Sequence, residues 1–310
     1  MAAIAPRLIA IVGPTASGKS ALGLRLAQQF PAEVVSCDSL QVYRGFDVGS
    51  SKATPDERAL VPHHLLDVAA PDGGFSAAEY ARLARRALAE ISSRGRLPLV
   101  VGGTGLYFRA LFRGLFPGPA RDERLRARLE SLAQRFGDAR LHRLLRRKDP
   151  EAAARIAPRD RVRIVRALEV YGTTGRPISE HHRAPLQPLT GYLALLLGLD
   201  PGREGLRPAV EERTRRMLEG GLVEEVRGLI GRYGPGARAL RAIGYRQAVA
   251  FVAGRLGPHA LEAEITKATL RFAKRQRTWF RKEPGILWFK SAEEALDEAR
   301  AWLERAPTSL

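Results

Sequence analysis

The chain has 310 residues, 45% of them apolar and 27% charged, which is typical of a globular protein with one large or two modest domains. Its formal charge is +18, from 51 Lys and Arg against 33 Asp and Glu. The single cysteine, Cys37, excludes an intramolecular disulfide and a cysteine-rich zinc site.

Strands and helices are predicted to alternate over the first hundred residues. Apolar runs bounded by turn residues predict strands at 8–12, 33–37 and 98–101, and helical spacing predicts helices at 20–29 and 76–93. This alternation predicts an α/β fold with a mainly parallel sheet flanked by helices. The first run is too short for a signal sequence or a membrane span, so we expect a cytoplasmic protein without membrane contact.

The pattern changes after residue 120. Residues 121–171 have Arg, Leu and Ala at helical spacing and no convincing strand, whereas residues 193–199 predict a strand that returns to the sheet. Residues 207–282 are again mostly helical. We therefore predict an all-helical subdomain at 121–188, inserted into an α/β core formed by residues 1–120 and 189–310.

The loop after the first predicted strand carries the P-loop pattern Gly-x-x-x-x-Gly-Lys-Ser, between a strand and a helix as its mechanism requires. Its backbone N–H groups can surround an anionic phosphate at a helix N-terminus. Lys19 supplies a positive charge and Ser20 a ligand for Mg²⁺. The pattern therefore predicts a bound di- or triphosphate without saying which one, on the residues Gly13, Pro14, Thr15, Ala16, Ser17, Gly18, Lys19 and Ser20.

Two polar residues follow predicted strands, at the edge where open α/β sheets bind their ligands. Asp38 follows the second strand, and three roles are open to it: metal ligand, general base, or cap of the next turn. Thr104 follows the third strand and either caps the helix that begins near Leu106 or contacts a substrate.

The positive charge is concentrated in two stretches. Residues 121–188 carry 17 Lys and Arg against 9 Asp and Glu, and residues 232–282 carry 12 against 2. These stretches account for the whole net charge. A polyanion is the expected partner, because each neutralised phosphate releases condensed counterions. The alternative is an arginine-rich, solvated surface.

Three basic clusters stand out within these stretches. Residues 274–281 combine cations with Trp279 and Phe280, which suits phosphate contacts and base stacking, unless the aromatic side chains belong to the core. Residues 241–246 form a second cluster. In the predicted insertion, Arg161, Arg163 and Arg166 form either a phosphate clamp or an ordinary solvated face.

Seven segments together resemble the tRNA dimethylallyltransferase (isopentenyltransferase) family, in order and along nearly the whole chain. The P-loop is shared with many kinases, but the ordered set of the other six is specific. The chain departs from the pattern at Val162, where many members have a polar residue. The segments are GPTASGKS at 13–20, DSLQVYRGFDVGSSK at 38–52, VPHHLLD at 61–67, VVGGTGLYFRAL at 100–111, RIVRALEV at 163–170, RAIGYR at 241–246 and KRQRTWFR at 274–281.

The resemblance implies transfer of a dimethylallyl group from dimethylallyl diphosphate to N6 of the adenosine at tRNA position 37, beside the anticodon. The P-loop, Arg213 and Mg²⁺ on Ser20 would stabilise the departing pyrophosphate. Asp38 is implied as the general base that takes the N6 proton, and Thr104 as a substrate contact near the leaving group. The adenine would have to be flipped out of the stacked anticodon loop.

The resemblance also implies that the anticodon stem-loop is gripped by the insertion and the C-terminal basic segments, with a monomer sufficient. The implied tRNA contacts are Asp38, Ser39, Leu40, Gln41, Thr104, Arg126, Val162, Arg163, Ile164, Val165, Arg166, Arg241, Ala242, Ile243, Gly244, Tyr245, Arg246, Lys274, Arg275, Gln276, Arg277, Thr278, Trp279, Phe280 and Arg281.

Two other classes of protein share some of these features. A P-loop kinase acting on small metabolites or nucleosides has the same loop and a helical lid, but it has no need of a second basic segment near the C-terminus. An RNA-binding module without catalysis, or with ATPase activity, would use Asp38 as a metal ligand.

Overall fold

The computed structural model describes residues 5–116 and 118–305. The chain divides into two compact units. The first, called here the α/β unit, comprises Met1–Phe112 and Leu189–Leu310. The second, called the helical unit, comprises Arg113–Pro188.

The α/β unit contains a six-stranded sheet in which every pairing is parallel, in the order β3–β2–β4–β1–β5–β6. The predicted parallel α/β fold is therefore confirmed. Two short strands, His63–His64 and Ile286–Phe289, were not predicted from the sequence. The strands are β1 (Arg7–Val12), β2 (Ala32–Ser36), β3 (His63–His64), β4 (Leu97–Gly102), β5 (Leu193–Leu199) and β6 (Ile286–Phe289).

Helices cover both faces of this sheet. Two of them begin with a capping box that the sequence encodes as Thr-x-x-Glu or Ser-x-x-Glu, at Thr54 and Ser76. The helices of the α/β unit are α1 (Lys19–Gln29), α2 (Pro55–Leu60), α3 (Ala77–Ser93), α4 (Gly105–Phe112), α10 (Gly202–Glu219), α11 (Leu222–Tyr233), α12 (Tyr245–Val252), α13 (Pro258–Phe280) and α14 (Ala292–Glu304), with a 3₁₀ turn at Arg238–Arg241.

The helical unit has its own core, which includes Leu141, Leu145, Ile164 and Val170. Asp122 and Asp160 cap two of its helices by accepting backbone N–H groups. Its helices are α5 (Glu123–Phe136), α6 (Asp138–Lys148), α7 (Pro150–Arg155), α8 (Arg161–Thr174) and α9 (Ile178–His181).

Alternate residues of the central strand face opposite sides of the sheet, so β1 contributes to two cores. Leu8, Ala10 and Val12 pack with residues of α3, α4 and α11–α13, whereas Ile9 and Ile11 pack with residues of α1 and α14. Both faces are thus buried, as parallel sheets require. No helix in the described part of the chain is both long and apolar enough to cross a bilayer.

The sheet also determines where a ligand can bind. Strand β1 pairs with β4 on one side and with β5 on the other, and all three end at the same edge. A crevice forms outside the carboxyl ends of strands at such a reversal of strand order. The loops after β1, β2 and β4 carry the P-loop, Asp38 and Thr104 to that edge.

Candidate active site

The P-loop connects β1 to α1 with backbone conformations that favour glycine. Gly13 has φ +142°, and a Cβ there would lie 2.3 Å from the Leu199 carbonyl oxygen. Gly18 has φ +90° at the residue before α1. Only a glycine fits the first position without moving the backbone. The loop therefore folds back as an N–H-lined turn at a helix N-terminus, which is the geometry of an anion cradle.

Lys19 is the first residue of α1 and is almost completely buried. Its ammonium group donates to the Pro14 carbonyl and lies 3.5 Å from the Ser17 hydroxyl. Burial, and then the nearby charge of Arg213, lower the pKa of Lys19 to about 7, against a smaller opposing effect of Asp38. An anion bound in the loop would favour the charged form of this lysine.

Arg213 on α10 is the second cation beside the loop. Its guanidinium donates to the Thr15 hydroxyl and, at 3.4 Å, to the Ser50 carbonyl. Its Nε is buried and has no hydrogen-bond partner among the described residues. Burial lowers the pKa of Arg213. A buried donor without a partner is costly, and an anionic ligand in the cleft would satisfy it.

Asp38 follows β2 and lines the same cleft as the P-loop, at the carboxyl edge of the sheet. Its Oδ1 accepts the Leu40 N–H at 2.8 Å and the Gln41 N–H at 3.4 Å, so the carboxylate does cap the following turn. Within the described residues, Oδ2 accepts no hydrogen bond. The turn therefore fixes the direction of one carboxylate whose second oxygen can take a proton.

Thr104 ties the loop after β4 to the loop that carries Asp38. Its hydroxyl accepts the Ser39 N–H at 2.9 Å and lies 3.3 Å from the Ser39 hydroxyl. Its own N–H donates to the Cys37 carbonyl at 3.1 Å. The hydroxyl is thus directed across the sheet edge to Ser39, and both neighbours of Asp38 are held by Thr104.

Gln276 of α13 joins the P-loop to the loop after β4. Its Oε1 accepts the Thr15 N–H at 2.9 Å, and its Nε2 donates to the Gly103 carbonyl at 2.8 Å. The side chain is buried. A Cβ on Gly103 would lie 2.4 Å from Nε2, so glycine is needed there for the contact. Gln276 was expected to contact tRNA, but in this structure its amide positions the two loops.

The aromatic residues of the 274–281 segment have internal roles. Trp279 packs against Gly105, where a Cβ would lie 2.2 Å from the indole ring. The Arg109 guanidinium stacks 4.3 Å from the centre of the Trp279 ring. Phe280 is fully buried and packs edge-on against Phe108. The structure therefore favours the core role for Phe280 over base stacking.

The four cations of the same segment divide into two kinds. Arg277 and Arg281 both bind the Asp200 carboxylate, at 2.8 and 3.1 Å. Lys274 and Arg275 are exposed and make no ion pair within the described residues. Thr278 is exposed and its hydroxyl donates to the Lys274 carbonyl.

Residues 241–246 also include both exposed and buried side chains. Arg241 and Arg246 are exposed, whereas Ala242 and Ile243 are partly buried and line the cleft together with Gly244. Tyr245 is fully buried, and its hydroxyl donates to Glu225 at 2.6 Å. The expectation that the Tyr245 side chain contacts RNA is corrected, because it lies in the core.

Glu225 is a positioning residue that the sequence analysis missed. Its carboxylate accepts three consecutive backbone N–H groups, from Asp47, Val48 and Gly49, at 3.0, 2.8 and 3.3 Å. It thereby holds the loop that forms one wall of the cleft. The three amides lie 176 to 178 residues away in sequence, so no local pattern indicates the contact.

In the helical unit, two of the arginines that were expected to bind tRNA form ion pairs with a buried glutamate of the same unit. Arg126 makes a two-pronged ion pair with the fully buried Glu169, at 2.9 and 3.0 Å, and Arg166 binds the same carboxylate at 2.8 Å. Burial opposes the charge on Glu169, but Arg126 and Arg166 hold its pKa below the usual value. These two arginines organise the core of the unit rather than forming a free cationic face.

Helix α8 presents other residues to solvent. Val162 is 74% exposed and the Arg163 side chain is 67% exposed, whereas Ile164 and Val165 are buried in the core. The expected contact of the Ile164 and Val165 side chains with RNA is therefore corrected. Arg161 pairs with Asp138 at 2.5 Å.

In the α/β unit, the P-loop, the loops after β2 and β4, and helices α10 and α13 line a cleft of ≈ 780 Å³. This size is typical of ligand pockets. Residues from the P-loop, Asp38 to Gln41, Gly102 to Thr104, α10 and α13 line it, and so do Arg241 and Arg275. Among the described residues, no group of three His, Cys, Asp or Glu side chains is placed to hold a metal ion.

Comparison with known proteins gives one consistent result. A family model described as IPP transferase matches residues 41–283. The chain is 49% identical to a tRNA dimethylallyltransferase of Geobacter sulfurreducens, over 91% of each protein. It is 46% identical to one of Koribacter versatilis, over 92% of this chain and 93% of that protein.

A solved structure leads to the same group of proteins. The full-length tRNA isopentenylpyrophosphate transferase of Bacillus halodurans superposes with a TM-score of 0.69 at 36% identity. The match covers 96% of this chain and 95% of that one.

Proposed function

The chain belongs to the tRNA dimethylallyltransferase family, and we propose that its acceptor is N6 of the adenosine at position 37, beside the anticodon. The family resemblance of the sequence motifs and the expected tRNA prenylation are confirmed. One observation carries the proposal for the chemistry: the P-loop lines the same cleft as Asp38, whose Oδ2 accepts no hydrogen bond from a described residue.

The diphosphate of dimethylallyl diphosphate binds on the P-loop amides, between Lys19 and Arg213. Lys19 is buried and Arg213 is partly buried, and the buried Nε of Arg213 is a donor that no described residue satisfies. Preorganised cations stabilise the charge that grows on the leaving oxygen at low reorganisation cost. As the C–O bond breaks, its electron pair goes to pyrophosphate.

The adenine N6 supplies the electron pair of the new C–N bond and releases a proton to Asp38. The two backbone N–H groups on Oδ1 orient the carboxylate, which leaves Oδ2 for the amine. A positioned general base needs hydrogen-bond reach to the proton that it abstracts. Thr104 holds Ser39 beside this carboxylate, so its part in catalysis is to position the base.

Mg²⁺ suits the oxygen donors of this cleft and would be held by Ser20 and the substrate phosphates. Ser20 is exposed to the cleft, and its hydroxyl is a hard ligand of the kind that Mg²⁺ prefers. When bound, the ion would neutralise part of the diphosphate charge. A site built largely from substrate oxygens needs no cluster of acidic side chains.

The anticodon stem-loop binds through exposed cations. Arg241 and Arg275 line the cleft, and Lys274, Arg246 and Arg163 are exposed. Phosphate contacts of this kind supply affinity, while the flipped adenine enters the cleft. We propose that a monomer is sufficient for this activity.

A single assay separates this function from a kinase or an ATPase. The protein is incubated with Mg²⁺, unmodified tRNA and either dimethylallyl diphosphate or ATP, and the tRNA is analysed by mass spectrometry. We expect a gain of one C₅H₈ unit with dimethylallyl diphosphate alone, at adenosine 37 after nuclease digestion. ATP consumption without a mass gain, or a gain at another nucleotide, would overturn the proposal.

A further inference from the structure

A second groove lies outside the active cleft, between α10 and α13. Its volume is ≈ 870 Å³. The residues that line it include six cations and two carboxylates, which are Glu211 and Glu262. We call the six cations the groove cations: Arg203, Arg207, Lys267, Arg271, Lys274 and Arg277.

Half of the groove cations have no carboxylate partner. Arg207 pairs with Glu211, Lys267 with Glu264, and Arg277 with Asp200. The other three are exposed and make no ion pair with a described residue: Arg203, Arg271 and Lys274. Like charges brought together without partners are unfavourable unless an anion joins them.

The three unpaired groove cations lie at the start of α10 and in the C-terminal half of α13. Arg277, near the end of α13, binds Asp200, which lies two residues before the start of α10. The start of α10 therefore lies near the end of α13, and Arg203 lines the same groove as the C-terminal half of α13. Of the two carboxylates, Glu211 pairs with Arg207, and Glu262 lies near the start of α13.

The position of Arg203 is also unfavourable for its own helix. It lies in the first turn of α10, where the helix dipole favours acidic side chains. A cation at this position reduces helix stability slightly and adds to the positive potential of the groove. This placement is better explained by an anionic partner than by local folding.

The groove is next to the active cleft. Strand β5, which leads to Asp200, runs parallel to β1 in register, so Asp200 and the P-loop lie at the same edge of the sheet. Arg275 lines the cleft, and the adjacent Lys274 lines the groove. Helix α13 thus has cationic side chains in both cavities.

We propose that the groove cations bind the phosphates of the tRNA strand where it leaves the active cleft. The inference rests on the proposed function and extends its RNA surface to Arg203, Arg207, Lys267 and Arg271. Residues 267 to 274 cover about 10 Å of helix. Exposed cations along an open groove of this length suit a nucleic-acid backbone, which presents charges at intervals, better than one compact anion.

The test compares two variants that have the same change in charge. In Arg203→Glu with Arg271→Glu, both changes lie in the groove. In the control, Arg82→Glu with Lys290→Glu, both residues are exposed, line neither cavity and make no ion pair within the described residues. Binding of unmodified tRNA is measured over a series of salt concentrations, and a thermal melt verifies folding. The milder pair Arg203→Gln with Arg271→Gln is measured beside them.

We expect the groove variant to lose roughly tenfold or more in tRNA affinity and its log–log salt slope to be less steep by about 2, while the control changes little. Affinity for dimethylallyl diphosphate should stay as in the wild type. Equal tRNA affinity and salt slope in groove and control variants would overturn the inference. So would weaker binding of inorganic tripolyphosphate with unchanged tRNA affinity, which would identify a small-anion site.

Failure of this inference differs from failure of the proposed function. If the wild-type protein prenylates tRNA and the groove variant behaves as the control does, only the groove proposal is wrong. If the wild-type protein transfers no C₅H₈ unit, the function itself is wrong, whatever the groove binds.

Discussion

The side-chain amide of Gln276 accepts the backbone N–H of Thr15 at 2.9 Å and so anchors the start of the P-loop to helix α13. The same amide reaches the Gly103 carbonyl. The helix that carries the basic 274–281 segment is thereby bonded to the P-loop. Residues on one side of α13 can therefore affect the geometry of the reaction without touching a substrate.

Replacing Gln276 should weaken diphosphate binding in a graded way. Gln276→Ala removes two buried hydrogen bonds and should lower stability by about 1–3 kcal/mol. Gln276→Glu keeps an acceptor for Thr15 but adds a negative charge beside the P-loop. Calorimetric titration should give affinities for dimethylallyl diphosphate in the order wild type, alanine, glutamate. A glutamate variant that binds as tightly as the wild type would show that Gln276 does not influence the diphosphate site.

Diphosphate binding should take up a proton at pH 8. Burial lowers the pKa of Lys19 to about 7, so the free protein holds this lysine largely neutral at pH 8. A bound anion favours the charged form, so its affinity should fall as the pH rises above 7. Titrations in two buffers with different ionisation enthalpies should show uptake that approaches one proton, and Lys19→Met should abolish it. Identical heats in the two buffers would contradict this assignment.

Replacing two different arginines of the helical unit should have different effects, one on stability and the other on tRNA binding. Arg126→Ala leaves the buried Glu169 with one fewer partner and should destabilise the unit by roughly 2–4 kcal/mol. Arg163→Ala removes an exposed cation and should weaken tRNA binding without that loss. Hydrogen exchange in residues 113–188 measures the first effect, and binding over a salt series measures the second. Weaker tRNA binding by Arg126→Ala with unchanged exchange would instead indicate direct RNA contact.

The paired change Lys274→Ala with Arg275→Ala should weaken tRNA binding and make its salt slope less steep by about 2, since both cations are exposed and unpaired within the described residues. The matched control is Arg82→Ala with Lys290→Ala, which removes the same charge elsewhere. If the two pairs gave the same slope, the 274–281 segment would not be the RNA surface.

Most of the sheet and the whole P-loop could be predicted from the sequence, because each is encoded by neighbouring residues. Apolar runs predicted four of the strands, and the spacing of the loop glycines predicted a turn between β1 and α1. The two strands that were not predicted are short and at the sheet edges: His63–His64 contains two polar residues, and Ile286–Phe289 has only four. Such segments lack a periodic pattern.

The division of the basic residues into free and paired could not be predicted from sequence. Arg126 and Glu169 are 43 residues apart, and Arg277 and Asp200 are 77 apart. Which cation meets a buried carboxylate depends on tertiary packing. The same reason explains why Tyr245 and Phe280, which lie in basic segments, are core residues. Net charge identified the segments, but only the fold distinguishes the residues within them.

The central claim is that Asp38 takes the proton from the nucleobase amine while the P-loop holds the leaving group. Asp38→Asn tests it most directly, because the amide keeps an oxygen for the Leu40 and Gln41 N–H groups but cannot act as the base. In single-turnover transfer with saturating tRNA and dimethylallyl diphosphate, we predict a rate lower by about 10²–10⁴-fold, with both substrate affinities within a few fold of the wild type. A transfer rate equal to that of the wild type would contradict the account.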